Sequence, residues 1–404
     1  MIKYAQKALK WLLISLVMGA IGGIIGSSFH RLLEIVTHTR EEHNWLVLLL
    51  PIAGLLIVAI YHPFQRKGKL NTNRILWSVE ADDDVPLILA PLIFAGTVIT
   101  HLFGGSAGRE GAALQLGGSI GYNIGKFIKL DKDELHIIVM AGMGSFFAAM
   151  FGAPLTAAVF SLEVINAHNT HRKSLLPCII SSVTAYMISR VLGTEGVRYT
   201  VGAMSVTLPV IIRTIILAAL CAVVSILFCL ALKYSTLGMK KIFKNEFVRA
   251  FVGGALVVAL SLILHTNDYN GAGMGVIDRA MAGEASYEAF VLKILFTAIT
   301  VAAGFKGGEI VPTLFIGATF GCSVGGLLGL DPAFAASLGF AAVFAGVVNC
   351  PLASVLLAVE VFGSNGLLLY ALACLVSYIL SGSFSIYEHK VQPFEFSFKK
   401  LKKD

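Results

Sequence analysis

Arg109 and Glu110 place two ionisable side chains inside a stretch that is otherwise apolar and rich in glycine. The stretch spans residues 105–117 and reads GSAGREGAALQLG. Apolar runs flank it on both sides, so both charges are expected at membrane depth, where ionisable groups are costly and mostly functional. Its glycines leave backbone N–H groups accessible just before a helix-like run, which is typical of an anion site at a helix N-terminus. The alternative is a glycine-rich turn in which Arg109 and Glu110 only pair with each other.

The composition indicates that membrane helices position this stretch. The chain has 404 residues, of which 56% are hydrophobic and 14% are charged, whereas soluble domains carry about 25% charged residues. The apolar runs are continuous and do not alternate in polarity, which favours helices over a β-barrel. We therefore predict an all-α integral membrane protein. The six cysteines lie in apolar segments without a C-x-x-C pair and are expected to be small core residues.

Lysines at both ends of the chain predict its orientation. They are Lys3, Lys7 and Lys10 before the first apolar run, and Lys399, Lys400, Lys402 and Lys403 after the last. The positive-inside rule places both termini in the cytoplasm of a multi-pass protein of the inner (plasma) membrane. No basic and aromatic face accompanies these lysines, so nucleic acid is not an expected partner. Several apolar runs are shorter than the ~20 residues of a perpendicular span, which indicates tilted or broken helices whose ends meet at a buried site.

A repeat relates the two halves of the chain. The sequence TVIT at 97–100 recurs as TAIT exactly two hundred positions later at 297–300, and in this alignment Arg109 faces Glu309. The stretch 304–312 is then the partner of the first glycine-rich stretch, and matching breaks in two halves predict one shared site at their interface. Glu163 and Glu360 each lie nine positions after a proline. We expect them to cap helices or pair at the interface between the halves.

These motifs, in this order, resemble the CLC family of chloride channels and transporters. The resemblance rests on GREG at 108–111, the paired Pro-Leu helices and GGEIVP at 307–312, and it covers essentially the whole membrane domain. It implies a CLC-type inverted repeat of tilted and broken transmembrane helices and a homodimer with one anion pathway in each subunit. Residues 1–393 would form one transport domain, with repeats at roughly 1–203 and 204–393. A short basic tail, 394–404, would follow without a soluble regulatory domain.

The resemblance also implies roles for individual residues. Glu110 corresponds to the gating glutamate, whose carboxylate competes with the anion and carries the proton. Tyr387 corresponds to the pore tyrosine that donates to the central anion, and the backbone N–H groups of Ile310 and Val311 to the anion cradle of the second half. Thr72 falls about where chloride-type members have a serine. The residues that support these motifs are Gly108, Arg109, Gly111, Gly308 and Pro312.

A glutamate at position 309 resembles the bacterial fluoride/proton antiporter branch, because most other members of the family have an apolar residue there. The resemblance implies that Glu309 helps exclude chloride, and we expect Lys306 to compensate its charge. Val311 departs from the threonine of that branch, which is a selectivity contact. Ala112 stands where chloride-type members have proline, and Val164 where chloride/proton exchangers carry an internal proton-transfer glutamate.

The expected function is export of fluoride or chloride in exchange for protons. A carboxylate in a narrow, partly dry pore favours its neutral form, and a neutral Glu110 that swings aside admits the anion, which links the two movements. A passive anion channel of the same fold stays open as the alternative. An enzyme is not expected, because the chain has no H-E-x-x-H helix and no G-x-S-x-G elbow between a strand and a helix, and neither glycine-rich stretch continues as Gly-Lys-Ser/Thr. No cofactor or metal site is expected.

Overall fold

The regular structure of the chain is helical. The computed structural model describes residues 2–65, 84–165, 171–202 and 204–387, and within these ranges it contains α-helices, two short 3-10 helices and no β-strand. The all-α prediction is therefore confirmed. Thr72 and the tail 394–404 lie outside the described residues.

The helices of the first half are longer at its start and shorter around the glycine-rich stretch. They are α1 (Ile2–Glu42), α2 (Leu50–Gln65), α3 (Leu89–Leu102), α4 (Glu110–Phe127), α5 (Lys132–Phe151), α6 (Pro154–Glu163) and α7 (His171–Val191). Those of the second half are α8 (Leu208–Ile242), α9 (Glu246–Leu264), α10 (Met274–Met281), α11 (Ala289–Ala303), α12 (Ile310–Leu327), α13 (Pro332–Val348), α14 (Pro351–Phe362) and α15 (Leu367–Ser381). In the part of the chain that the structure describes, eight helical segments are long and apolar enough to cross a bilayer.

The repeat seen in the sequence is also present in the helices. α4 and α12 each contain 18 residues and begin at positions 110 and 310. The neighbouring helices match in the same order, with α3, α5 and α6 corresponding to α11, α13 and α14. The predicted division between residues 203 and 204 falls between α7 and α8.

Matching residues begin the paired helices. The carboxylate of Asp131 accepts a hydrogen bond from Glu134 N (2.9 Å) at the start of α5, and Asp331 accepts one from Phe334 N (2.8 Å) at the start of α13. Such N-caps satisfy a backbone N–H that has no partner within the helix. α6 and α14 both begin at a proline, whose missing N–H costs nothing in the first turn.

Small residues allow α4 to pack on α5, and α12 on α13, at backbone distance. A Cβ atom on Gly121 would lie 2.6 Å from the carbonyl oxygen of Ile138, and one on Gly339 would lie 2.7 Å from the Cα of Gly321. Small residues at such spacing let membrane helices approach closely. All six cysteines are buried and free, as expected of core residues.

The helices α6 and α14 cap each other across the two halves. The carboxylate of Glu360, near the end of α14, accepts hydrogen bonds from the N–H groups of Leu155 (3.0 Å) and Thr156 (2.8 Å) at the start of α6. Glu163 accepts in the same way from the first turn of α14, with distances of 3.2 and 2.8 Å. The expected capping role of both glutamates is confirmed, and it ties the halves together next to the site.

Candidate functional site

The two glycine-rich stretches meet through their backbones. Gly108 N donates to Gly308 O, and Gly308 N donates to Gly108 O, both at 2.7 Å. This reciprocal pair lies immediately before α4 and α12, so the N-termini of both helices converge on one place. Helix N-termini carry unpaired N–H groups and the positive end of the helix dipole, which attract anions.

Two threonines, related by the repeat, hold the stretches in place. Thr300 Oγ1 accepts a hydrogen bond from Ser106 N, and Thr100 Oγ1 accepts one from Lys306 N, each at 3.1 Å. Each hydroxyl also donates to a carbonyl of its own helix, Thr100 to Gly96 O and Thr300 to Phe296 O. The repeated TVIT and TAIT motifs therefore attach α3 and α11 to the opposite half.

Only glycine fits where the stretches touch. A Cβ atom on Gly111 would lie 2.8 Å from the Cα of Gly308, and one on Gly108 would lie 2.8 Å from the Cβ of Val311. One on Gly308 would lie 2.5 Å from the backbone nitrogen of Gly111. Side chains at these positions would therefore push the two helix N-termini apart. This accounts for three of the residues that support the motifs.

The first turn of α12 presents free backbone donors. Ile310 and Val311 are its first two residues and are almost completely buried. Their N–H groups precede the first bond of the helix, in which Thr313 N donates to Glu309 O (3.0 Å). Pro312 is the third residue and contributes no N–H, which is tolerated in the first turn. The predicted cradle thus lies at a helix N-terminus, as its chemistry requires.

Glu110 is the first residue of α4 and is only 2% exposed. Its Oε2 accepts a hydrogen bond from Arg109 N at 3.1 Å. The carboxylate therefore occupies a backbone donor of the kind that an incoming anion would use. A charged Glu110 and an anion compete for the same positive end of the helix.

The Arg109–Glu110 pair considered as an alternative is present. Arg109 Nε lies 3.5 Å from Glu110 Oε1, within ion-pair distance. The same carboxylate accepts a hydrogen bond from Arg109 N, next to the Gly108–Gly308 contact. The pair lies at a helix N-terminus, so the geometry is compatible with both interpretations.

A cavity of about 530 Å³ borders the paired stretches. Gly111, Glu309 and Tyr387 line it, so the structure brings these three predicted residues together. Glu110, Ile310 and Val311 are buried and do not line the cavity. Tyr387 is placed by a hydrogen bond from its backbone N–H to Ser385 Oγ (3.2 Å).

Basic side chains give the cavity a positive character. Lys233 and Lys240 of α8 and Lys306 of the second stretch line it together with Glu309. Among the ion pairs of the described residues, none joins Lys306 to Glu309. The Lys306 ammonium instead lies 4.5 Å from the centre of the Tyr61 ring, a cation–π contact. Lys306 therefore does not compensate the charge of Glu309 by forming an ion pair with it. The lysine charge still acts on Glu309 through space.

Sequence reasoning missed two buried cations near the site. Lys293 is fully buried, and its Nζ donates to Tyr269 O (3.1 Å) and Gly271 O (2.7 Å). Arg40 is 6% exposed and donates to His101 O (3.1 Å). Lys293 interrupts the apolar run of α11, and an intramembrane cation of this kind is a signal that could have been used.

The fold and the site together define a helical membrane protein with paired helix N-termini around a buried carboxylate. The profile of the voltage-gated chloride channel family matches residues 54–382. The chain belongs to this family, which is the CLC family.

Relatives of the chain agree with this assignment. A chloride/fluoride channel protein of Pseudomonas syringae pv. tomato is 32% identical over 386 residues, covering 94% of this chain and 85% of that protein. The crystal structure of a CLC-type fluoride/proton antiporter matches with a TM-score of 0.90 at 31% identity, covering 94% of this chain and 97% of that one. A slow cyanobacterial Cl⁻/H⁺ antiporter matches with a TM-score of 0.78 at 22% identity over 92% and 94% of the two chains, and this likeness shows the fold alone.

Proposed function

We propose that this protein is a secondary active transporter that exports a halide, preferentially fluoride, in exchange for protons. One observation carries the proposal. The reciprocal Gly108–Gly308 hydrogen bonds join the two stretches immediately before α4 and α12, whose first residues are the buried Glu110 and Ile310. A proton carrier and an anion cradle at one point are what coupled movement of the two ions needs.

The coupling follows from competition for one place. When Glu110 is charged, its carboxylate takes the backbone donors at the start of α4 and the anion is excluded. When Glu110 is protonated, its attraction to the helix N-terminus weakens, the side chain moves aside and the anion enters. Each exchange of anion for carboxylate is thereby linked to a protonation step. The donors in this mechanism are Arg109 N, Ile310 N and Val311 N, with the Tyr387 hydroxyl as a further donor to the central anion.

Support for fluoride comes from Glu309 and from the relatives. Glu309 lines the cavity and directly precedes the anion cradle. A second carboxylate there repels anions, and it disfavours those whose other interactions in the site do not offset this repulsion. The solved relative at 31% identity is a fluoride/proton antiporter. Val311 offers no hydroxyl to the anion, so we expect a fluoride preference that is clear but smaller than that of a site with threonine at this position.

The assembly and placement of the protein form part of the proposal. We infer one transport domain over residues 1–393, made of two repeats at roughly 1–203 and 204–393, in a homodimer with one pathway in each subunit. We place the protein in the inner (plasma) membrane with both termini in the cytoplasm, on the basis of the terminal lysines. No enzymatic activity is proposed.

Parallel measurement of fluoride, chloride and proton fluxes from liposomes tests the function. An imposed fluoride gradient should drive uphill proton movement, and fluoride efflux should exceed chloride efflux. Equal rates would identify a chloride-transporting member of the family. Anion flux without proton movement would support a passive channel, the activity named for the 32% identical relative.

A further inference from the structure

A histidine and a glutamate on α1 form a pair that the proposed mechanism does not use. His30 is 2% exposed, and its Nε2 lies 2.8 Å from Glu34 Oε1. Its Nδ1 lies 3.2 Å from the carbonyl oxygen of Met150 in α5. The side chain of Glu34 is 59% exposed, so one member of the pair is accessible from outside the helix bundle.

The end of α5 determines where the first proton of His30 is held. Met150 lies in the last turn of α5, and the residue four positions later is Pro154, which has no N–H to donate. A carbonyl oxygen only accepts hydrogen bonds, so His30 Nδ1 must donate to it. The imidazole therefore supplies the hydrogen bond that the helix cannot make.

His30 Nε2 then faces a carboxylate. A neutral imidazole has a single N–H group, and that group is already committed to Met150. Without another proton, the Nε2 lone pair and an ionised Glu34 oxygen would be two acceptors at 2.8 Å, which repel each other. A hydrogen bond at this distance requires one additional proton, held either by Nε2 or by the carboxyl group.

We propose that His30 and Glu34 form a second proton-binding site, separate from Glu110, which sets the charge beside Arg109. With its proton the pair is neutral overall, and without it the pair carries one negative charge. The charged groups that act on the ring are Glu34 from its own helix and Arg109 from the first glycine-rich stretch. The elements that pack against α1 are α3, α4, α5, α7 and the 3-10 helix Asn44–Leu49, and among the described residues they contribute no further charged group to the electrostatics of the ring.

The consequence for transport rests on the proposed function. A negative pair near Arg109 competes with Glu110 for the arginine charge and favours the protonated form of Glu110. Loss of the shared proton at alkaline pH therefore helps Glu110 to retain its own proton. The pair extends the pH range in which the exchange cycle continues.

The shared proton can be detected without transport. In the full-length purified protein, ¹⁵N NMR of labelled histidine reports on His30 Nε2, and infrared difference spectra against Glu34→Gln report on the Glu34 carboxyl group. His30→Asn identifies the His30 signals, since its amide can still donate to Met150 O. Between about pH 5 and 8, we expect one proton on Nε2 or on Glu34. An unprotonated Nε2 together with an ionised Glu34 over that whole range would overturn the proposal.

The chain contains a matched control on the same helix. His38 and Glu42 have the same spacing, are 3.3 Å apart and are 74% and 58% exposed. Glu34→Gln should remove the shared proton of His30, whereas Glu42→Gln should leave the His30 signals unchanged.

Fluoride flux as a function of pH tests the proposed effect of the pair on Arg109 and Glu110. In Glu34→Gln, no negative charge develops beside Arg109, so the alkaline limb of the flux profile should move by about one pH unit to lower pH. Glu42→Gln should not move it. An unchanged profile in Glu34→Gln would refute the effect on Arg109 and Glu110. Absence of proton coupling in the unmodified protein would instead refute the proposed function, and the spectroscopic result would still decide whether the proton site exists.

Discussion

At the scale of single residues, Glu110 begins α4 and is buried, and the proposed function depends on its change of charge. In Glu110→Gln we expect proton transport to fall to background while some anion flux remains, because a neutral amide cannot alternate between charged and neutral forms. Anion flux in the unmodified protein should rise as pH falls, since protonation opens the site, and the variant should lose this dependence. Liposome recordings with a pH electrode and a fluoride electrode measure both properties.

The exposed Glu195→Gln provides the control for this variant, because Glu195 lies in the segment between α7 and α8 and not at the site. It should keep the coupling and the pH dependence of the unmodified protein. Stoichiometric proton transport that persists in Glu110→Gln would rule out Glu110 as the proton carrier.

Glu309 is the residue on which the proposed fluoride preference rests. Removing its carboxylate from the wall of the cavity removes a repulsion that chloride compensates less well than fluoride. We expect Glu309→Ala to lose about tenfold in the ratio of fluoride to chloride flux, equal to about 1.4 kcal/mol. Paired efflux assays measure this ratio, with the exposed Glu288→Gln as control. A ratio unchanged in Glu309→Ala would assign selectivity to other groups.

The candidate site could be predicted only in part. Glu110 and the start of α12 were accessible to sequence reasoning, because charges and glycines inside apolar sequence are rare. The Lys306–Tyr61 contact could not be predicted, because a long lysine side chain can turn to either of two partners and the sequence does not show which one it contacts. The His30–Glu34 pair carries the same i,i+4 signal as the exposed His38–Glu42 pair, and burial alone distinguishes the two.

At the scale of helices, the reciprocal caps between α6 and α14 hold the halves in register. Each cap places the two oxygens of a carboxyl group on two backbone N–H groups at a helix start. We expect Glu360→Gln to lower the free energy of unfolding by about 1 to 2 kcal/mol, and Glu163→Gln to do so by a similar amount because the two caps are related by the repeat. Thermal unfolding in detergent measures the loss.

Transport coupling should survive both cap substitutions, because neither glutamate reaches the glycine-rich stretches. The exposed Glu284→Gln is the control and should leave the unfolding temperature unchanged. A cap variant with normal stability and lost proton coupling would instead place Glu163 or Glu360 in the proton path.

The order of the helices was more predictable than their contacts. The repeat spacing anticipated that α12 would match α4, and Asp131 and Asp331 are recognisable as N-caps from local sequence. The backbone pairing of Gly108 with Gly308 was not predictable, because it joins residues two hundred positions apart through atoms that every residue possesses. Only the glycines themselves indicated that something approaches closely there.

At the scale of the whole molecule, we predict a homodimer with two independent pathways. The repeat-matched helices α7 and α15 both carry exposed apolar side chains, among them Leu176, Met187, Leu368 and Ile379. Leu368→Trp should therefore raise the monomer fraction in detergent, because bulk at a packed interface is destabilising. Ile263→Trp on α9, where the side chain is 73% exposed, is the matched control and should leave the monomer fraction unchanged. Mass measurement distinguishes the two states.

Independence of the pathways is tested in mixed dimers. Proton flux should fall in linear proportion to the fraction of Glu110→Gln subunits, since each subunit would contain a complete site. A steeper fall would show that the subunits depend on each other, and an active protein found only as a monomer would contradict the assembly.

The pairing of Gly108 with Gly308 has a consequence for mutational scanning and for evolution. Both hydrogen bonds use main-chain atoms alone, so no replacement except proline removes a donor directly, and a scan would detect the contact mainly as intolerance of any residue larger than glycine. Selection can therefore change side chains of this site, such as Val311 and Glu309, much more readily than the paired backbone. Changes of anion preference within such a lineage are expected to accumulate around an unchanging backbone. Replacing the amide of Gly108 or Gly308 by an ester, through semisynthesis, would remove one of the two N–H donors without adding a side chain.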